Sequence, residues 1–176
     1  MTRPANRLFL VGPMGAGKTT IGRHLARRLG RRFIDSDQAL EARTGVDIPT
    51  IFDIEGESGF RNREAAILEE LSREPDIVLA TGGGAVLRPE NRSCLSERGT
   101  VIYLRADVAT QLRRTARSNR PLLQTDDPRT RLSALFAERD PLYRTVADLI
   151  IDSGGGSIGG VISQIIDHLD GNPHDS

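Results

Sequence analysis

The 176-residue chain predicts a three-layer α/β/α domain built on a five-stranded parallel sheet. Five short β-branched runs are nearly continuous in apolarity rather than alternating, as strands covered on both faces are. Longer stretches with apolar residues at helical spacing fill the gaps, the order that gives right-handed β-α-β crossovers. A glycine-rich turn, Gly12-Pro13-Met14-Gly15-Ala16-Gly17-Lys18-Thr19, joins the first run to the first helical stretch. It stands at a strand's carboxyl end, where open parallel sheets hold their ligands.

The first strand is expected over Leu8 to Val11. Ile21, Leu25 and Leu29 then recur every four residues and Gly30 supplies a stop. Arg27, Arg28, Arg31 and Arg32 read as a solvated helix end, favourable to the dipole. The second strand is Arg32 to Asp35, and Phe60, Ile67, Leu68 and Leu71 mark a further helix. The third strand, Ile77 to Ala80, runs into Thr81-Gly82-Gly83-Gly84; the fourth is Val101 to Leu104. Leu132, Leu135 and Phe136 form a helical stripe, after which Asp140-Pro141 predicts a fresh cap and first-turn proline. The fifth strand is Leu149 to Ile151, and Ile158, Val161, Ile162, Ile165, Ile166 and Leu169 draw the stripe of the last helix. Residues 115–128 are polar, hold two prolines and lack a helical period, which fits either a surface loop or a mobile lid. The expectation is one domain over residues 1–170 and a frayed tail at 171–176.

Composition narrows the function. The 24 Lys+Arg residues balance 24 Asp+Glu, so no net charge drives adhesion to nucleic acid or to an anionic membrane. Cys94 is the only cysteine and has no histidine near it in sequence, which fits a reducing cytosol and gives it no catalytic role. His24, His168 and His174 lack metal-ligand spacing. No long apolar segment predicts a signal peptide or a membrane span.

Lys18 is the only lysine among the 24 basic residues, and it falls inside the full G-x-x-x-x-G-K-[ST] pattern of a phosphate-cradling P-loop. Such a loop turns several backbone N–H groups and a helix N-terminus toward one anion. A compact ammonium on a flexible stem suits it better than a planar guanidinium. Lys18 is expected at the β/γ-phosphates of a nucleotide and the Thr19 hydroxyl at Mg²⁺. Asp35 and Asp37 end the second strand and should face the same crevice: Asp35 toward the metal or its waters, Asp37 toward an acceptor hydroxyl. Alternatively, Asp37 or Ser36 only caps the next helix. Gly82, Gly83 and Gly84 leave bare backbone where something approaches closely, or form a plain connector. Arg139 continues the Leu132, Leu135, Phe136 face, and Arg61 borders the face of Phe60 and Leu68 with Glu64 one turn on. Each is either an internal salt bridge or part of a pocket for a small hydroxylated carboxylate. Arg120, in Asn119-Arg120-Pro121-Leu122-Leu123, could swing over a transferring phosphoryl group; Arg113 and Arg117 either reach adenine or phosphate or, as their charged helical context favours, stay exposed to solvent.

Taken together, GPMGAGKTTIG at Gly12, FIDSD at Phe33, IFDIEGESGFRNRE at Ile51, ATGGG at Ala80, NRPLL at Asn119 and RDPLY at Arg139 resemble the shikimate kinase family, over about residues 6–169. The resemblance implies a P-loop kinase fold like that of the nucleoside monophosphate kinases. It implies MgATP-dependent phosphorylation of the 3-hydroxyl of shikimate on the way to aromatic amino acids. It further implies that Gly15, Ala16, Gly17, Lys18, Thr19, Thr20 and Arg120 bind ATP. Asp37, Arg61, Glu64, Gly82, Gly83, Gly84 and Arg139 would bind shikimate, with Phe52 and Phe60 walling the ring. Lys18, Asp37 and Arg120 would be catalytic, and Thr19, with Asp35 through water, would hold magnesium. The family often has serine at Thr19, and threonine keeps the hydroxyl. It also often places a longer polar side chain near the last helix, where this chain reads Ser153-Gly154-Gly155-Gly156, so adenine contacts there are expected from backbone. The expected enzyme is a cytoplasmic monomer whose partners are ATP and shikimate, without nucleic acid or membrane. The rival acceptors, gluconate and a nucleoside monophosphate, fit the Asp37, Arg61, Gly83, Arg139 set less well.

Overall fold

The computed structural model describes residues 6–116 and 127–171. The lid arginine Arg120, most of the expected lid, Arg117 and tail residues 172–176 lie outside them; Gly171 still belongs to the last helix. Strands β1 (Arg7–Val11), β2 (Arg32–Asp35), β3 (Ile77–Ala80), β4 (Thr100–Arg105) and β5 (Leu149–Asp152) form one sheet in the order β2-β3-β1-β4-β5, and every pair is parallel. Seven α-helices accompany them among the described residues: α1 (Lys18–Leu29), α2 (Ser36–Thr44), α3 (Ile48–Leu71), α4 (Pro89–Arg98), α5 (Val108–Thr115), α6 (Pro128–Val146) and α7 (Ile158–Gly171).

Alternation along each strand divides the core in two. Leu8 and Leu10 of β1 pack with Leu25 of α1 and Ile162 and Ile165 of α7. Phe9 and Val11 face the other way, toward Leu68 of α3, Leu95 of α4 and Tyr143 of α6. Continuous apolarity predicts burial on both faces, and β1, β3 and β4 are so buried. The edge strands differ: β2 is half-buried and Ile150 of β5 is 42% exposed, because each has a neighbour on one side only.

Two local expectations are corrected, and one expected helix proves longer than its apolar marks. Helix α6 runs unbroken through Asp140-Pro141, so no new helix starts there. An interior proline costs about 3 kcal/mol, but Leu132, Leu135, Arg139, Tyr143 and Val146 bury the same face on both sides of it. Asp140 instead accepts bonds from the Tyr103 hydroxyl (2.6 Å) and Arg144 Nε (2.9 Å). Helix α2 is capped by Asp35, not by Ser36 or Asp37. Helix α3 begins well before Phe60, at a cap formed by Asp47, and bends sharply at Gly56 (φ 74°, ψ 179°). No helix among the described residues is long and apolar enough to cross a membrane.

Candidate active site

The sheet register assembles the site. Leu10 of β1 and Asp35 of β2 both lie beside Ala80 of β3, so the P-loop, the Asp35–Asp37 segment and the glycine segment leave three neighbouring strand ends. Gly17 caps α1 at φ 89°, a left-handed conformation that turns the chain from the loop into the helix. Lys18 Nζ donates to the carbonyls of Gly12 (2.6 Å) and Pro13 (2.8 Å), which folds the ammonium across its own loop. The Thr19 hydroxyl donates to Asp35 Oδ2 at 2.9 Å, while Asp35 Oδ1 accepts from the backbone of Asp37 and Gln38. One carboxylate therefore ties the start of α2 to the P-loop helix.

A cleft of about 430 Å³ over this loop is lined by Gly15, Gly17, Lys18, Thr19 and Thr20. Ala16 is not on that wall: its methyl is buried, its N–H bonds to Pro13 and its carbonyl accepts from the Ser153 hydroxyl at 2.6 Å. Arg114 lines the cleft and went unnoticed in the sequence; its guanidinium donates to Gly15 O and Ser153 O, both at 2.9 Å. The available signal is the α5 spacing Gln111, Arg114, Thr115, whose outer two members occupy the space a side chain on Gly15 would enter. Arg113 is exposed, as expected.

A second cleft, about 300 Å³, opens beside the first and shares Thr19, Asp35, Asp37, Gly82 and Gly83 with it. Phe52 and Phe60 form one wall with ring centroids 4.9 Å apart, brought together by the bend at Gly56. Arg61, Glu64, Gly84 and Arg139 complete it. Arg61 is 8% exposed, Arg139 4% and Glu64 1%. Arg61 donates to Glu64 at 2.9 Å and reaches the partly exposed Glu57 at 3.4 Å. Burial pushes the Glu64 carboxyl up; Arg61 pulls it down and nearby Asp37 raises it further. A side chain at Gly82 would meet Asp37 Oδ1 at 2.8 Å and Glu64 Oε2 at 3.0 Å, and the Arg61 guanidinium fills the space a side chain at Gly84 would take. Arg61 Nε, Arg139 Nε and Glu64 Oε2 are buried without a hydrogen-bond partner among the described residues. Buried polar atoms are normally satisfied. A cluster of them on a cleft wall suits a ligand carrying both an anionic group and hydroxyls. Of the described residues expected to hold ATP phosphates, shikimate or magnesium, all but Ala16 line one of the two clefts; the Ser153–Gly156 segment, expected beside adenine, lines neither.

No group of three or more His, Cys, Asp or Glu able to hold a metal occurs among the described residues. The Thr19–Asp35 pair is nevertheless the donor set magnesium favours, few oxygens with the rest of its shell left to water and phosphate.

Comparison with known proteins agrees with this geometry. The model of the shikimate kinase family matches residues 14–170. A shikimate kinase of Halorhodospira halophila is 59% identical over 172 residues, 97% of either chain. One from Bordetella pertussis is 60% identical over 163 residues, 92% of this chain and 77% of that one. The structure of Acinetobacter baumannii shikimate kinase in complex with shikimate superimposes with a TM-score of 0.94 at 49% identity, covering 99% of this chain and 97% of that one. A Sinorhizobium meliloti gluconokinase, at 14% identity and a TM-score of 0.57, shares the fold alone. With the family match spanning nearly the whole sequence, the chain belongs to the shikimate kinase family.

Proposed function

We propose that this ATP-dependent kinase seats ATP in the P-loop cleft and shikimate in the Arg61–Arg139 cleft, and that Asp37 presents the 3-hydroxyl to the γ-phosphoryl group. The observation that carries this reading is the shared wall: Asp37 borders both clefts, so one carboxylate can address the acceptor beside the transferring group. Arg61 and Arg139 hold the shikimate carboxylate, Phe52 and Phe60 wall the ring, and Glu64, Gly82, Gly83 and Gly84 complete the pocket. Holding two reactants in register supplies much of a kinase's rate. Lys18 exchanges the Gly12 and Pro13 carbonyls for phosphate oxygens, a move its flexible stem allows. Thr19, with Asp35 acting through water, would hold Mg²⁺, whose contribution is to neutralise charge on the phosphates. Arg120 is assigned to the phosphates on the family resemblance. Asp37 orients the hydroxyl and accepts its proton late in the transfer. The enzyme is further proposed to act as a monomer in the cytoplasm.

The test is ADP release from MgATP with shikimate, quinate, gluconate and AMP offered separately. Shikimate should accelerate it far above the background hydrolysis. Acceleration by gluconate or AMP, with none by shikimate, would overturn the reading.

A further inference from the structure

Tyr143 lines neither cleft, yet it touches the back of the acceptor wall. It lies on α6 one turn beyond Arg139 and is 1% exposed. Its hydroxyl donates to the carbonyl of Gly83 at 2.5 Å. The neighbouring carbonyls are used differently: Gly82 O accepts from the Ala85 N–H and Gly84 O from the Leu87 N–H, both at 3.1 Å, in the short 3₁₀ turn that follows. Tyr143 thus fixes the one carbonyl of the three that this turn leaves aside. A peptide unit is planar and trans, so fixing the Gly83 carbonyl also fixes the Gly84 N–H, which points the opposite way. Arg139 interacts with the phenol, and its Nη1 lies 3.4 Å from where a side chain on Gly83 would begin. Burial keeps the phenol protonated and able to donate. The ring is held by Tyr103, with centroids 4.8 Å apart, and Tyr103 is itself anchored to Asp140.

We infer that Tyr143 is a positioning residue for the acceptor carboxylate: from behind the wall it sets the plane of the Gly83–Gly84 peptide and the place of the Arg139 guanidinium together. The inference rests on the acceptor reading above. It gives Tyr143 no contact with substrate. Its effect passes through the two groups it holds.

Tyr143→Phe removes the donor and keeps the ring. One lost hydrogen bond should raise the shikimate KM about fivefold, with kcat and the ATP KM near the wild-type values. The methyl ester of shikimate, which lacks the negative charge, should lose much less on the same substitution. Tyr103→Phe supplies the structural control: it should lower Tm comparably while leaving the shikimate KM within about twofold. Equal effects on acid and ester, on both substrates, or in both tyrosine variants would overturn the inference in favour of general loosening. Arg139→Lys separates the two levels. If it leaves the shikimate KM unchanged, the acceptor reading itself fails. If it raises that KM while Tyr143→Phe does not, only the positioning role is lost.

Discussion

Around the P-loop, polar groups already have protein partners. Lys18 sits on two carbonyls, Thr19 on Asp35, and Arg114 on the backbone of Gly15 and Ser153. Around the acceptor cleft, three buried side chains keep an atom unpartnered among the described residues. A ligand entering the first region exchanges one set of partners for another. A ligand entering the second completes a set that the fold leaves open, and the cost of burying those charges falls on folding. Discrimination should therefore be sharper in the acceptor half, because an acceptor without a carboxylate or the right hydroxyl leaves buried groups unmet. That contrast is testable by substitutions that should strike one half and spare the other.

Asp37→Asn should have the largest effect. It keeps the shape of the shared wall while removing the charge proposed to orient the hydroxyl and receive its proton. The expected loss is about 10²- to 10⁴-fold in kcat, with ATP affinity near wild type, measured by single-turnover transfer and by ATP titration. A collapse of ATP binding instead would move Asp37 into the nucleotide half.

The two halves also differ in how legible they were. The centre of the nucleotide half is contiguous: β1, the six residues 12–17 and the start of α1 carry it, so spacing alone picks out Lys18 and Thr19. The acceptor half comes from β2, α2, α3, α6 and the segment after β3. Its charges could be suspected individually, from Arg139 continuing an apolar stripe or Arg61 standing a turn before Glu64, but each pattern equally described an internal salt bridge. Arg61 proved to be both, paired with Glu64 and facing the cleft. The Asp140-Pro141 expectation failed because local cap chemistry yielded to burial along the whole of α6. Asp35, which the sequence marks for the metal, caps α2 through Oδ1 and accepts from Thr19 through Oδ2, a cap that the residue types alone assign to Ser36 or Asp37. Arg114 is not legible in the sequence, because its partners are backbone carbonyls, which leave no mark in composition.

A smaller effect should come from Glu64 in the acceptor half. Burial raises its carboxyl above the ordinary value of 4.5, so the folded chain holds that proton more tightly than the unfolded one. Below that ordinary value both states are protonated and the contribution to stability is whole. As pH rises, the unfolded chain ionises first and the contribution falls, by up to about 1.4 kcal/mol per pH unit for one proton, until the folded carboxyl also ionises. Glu64→Gln should remove this component. Denaturant unfolding of both proteins across the mildly acid range should show the stability of the wild type, relative to the variant, declining with pH. A constant or rising difference would show that Arg61 outweighs burial and that Glu64 remains charged.

Gly56→Ala probes how the acceptor wall is shaped rather than charged. At φ 74° and ψ 179° Gly56 occupies a region that is essentially glycine's own. A methyl group there would meet nothing within 4 Å, so the cost is conformational, about 1–3 kcal/mol. The bend sets the Ile48–Glu55 half of α3, with Phe52, against Phe60 and Arg61, and Glu55 reaches back across it to Arg63 at 2.5 Å. If alanine draws the helix toward a straighter path, Phe52 leaves Phe60 and the cleft widens on the side away from the P-loop. Lower Tm should then accompany a raised shikimate KM and an almost unchanged ATP KM. Equal shifts in the two KM values would mean that the bend supports the whole site, and the division between the halves would lie elsewhere than at Gly56.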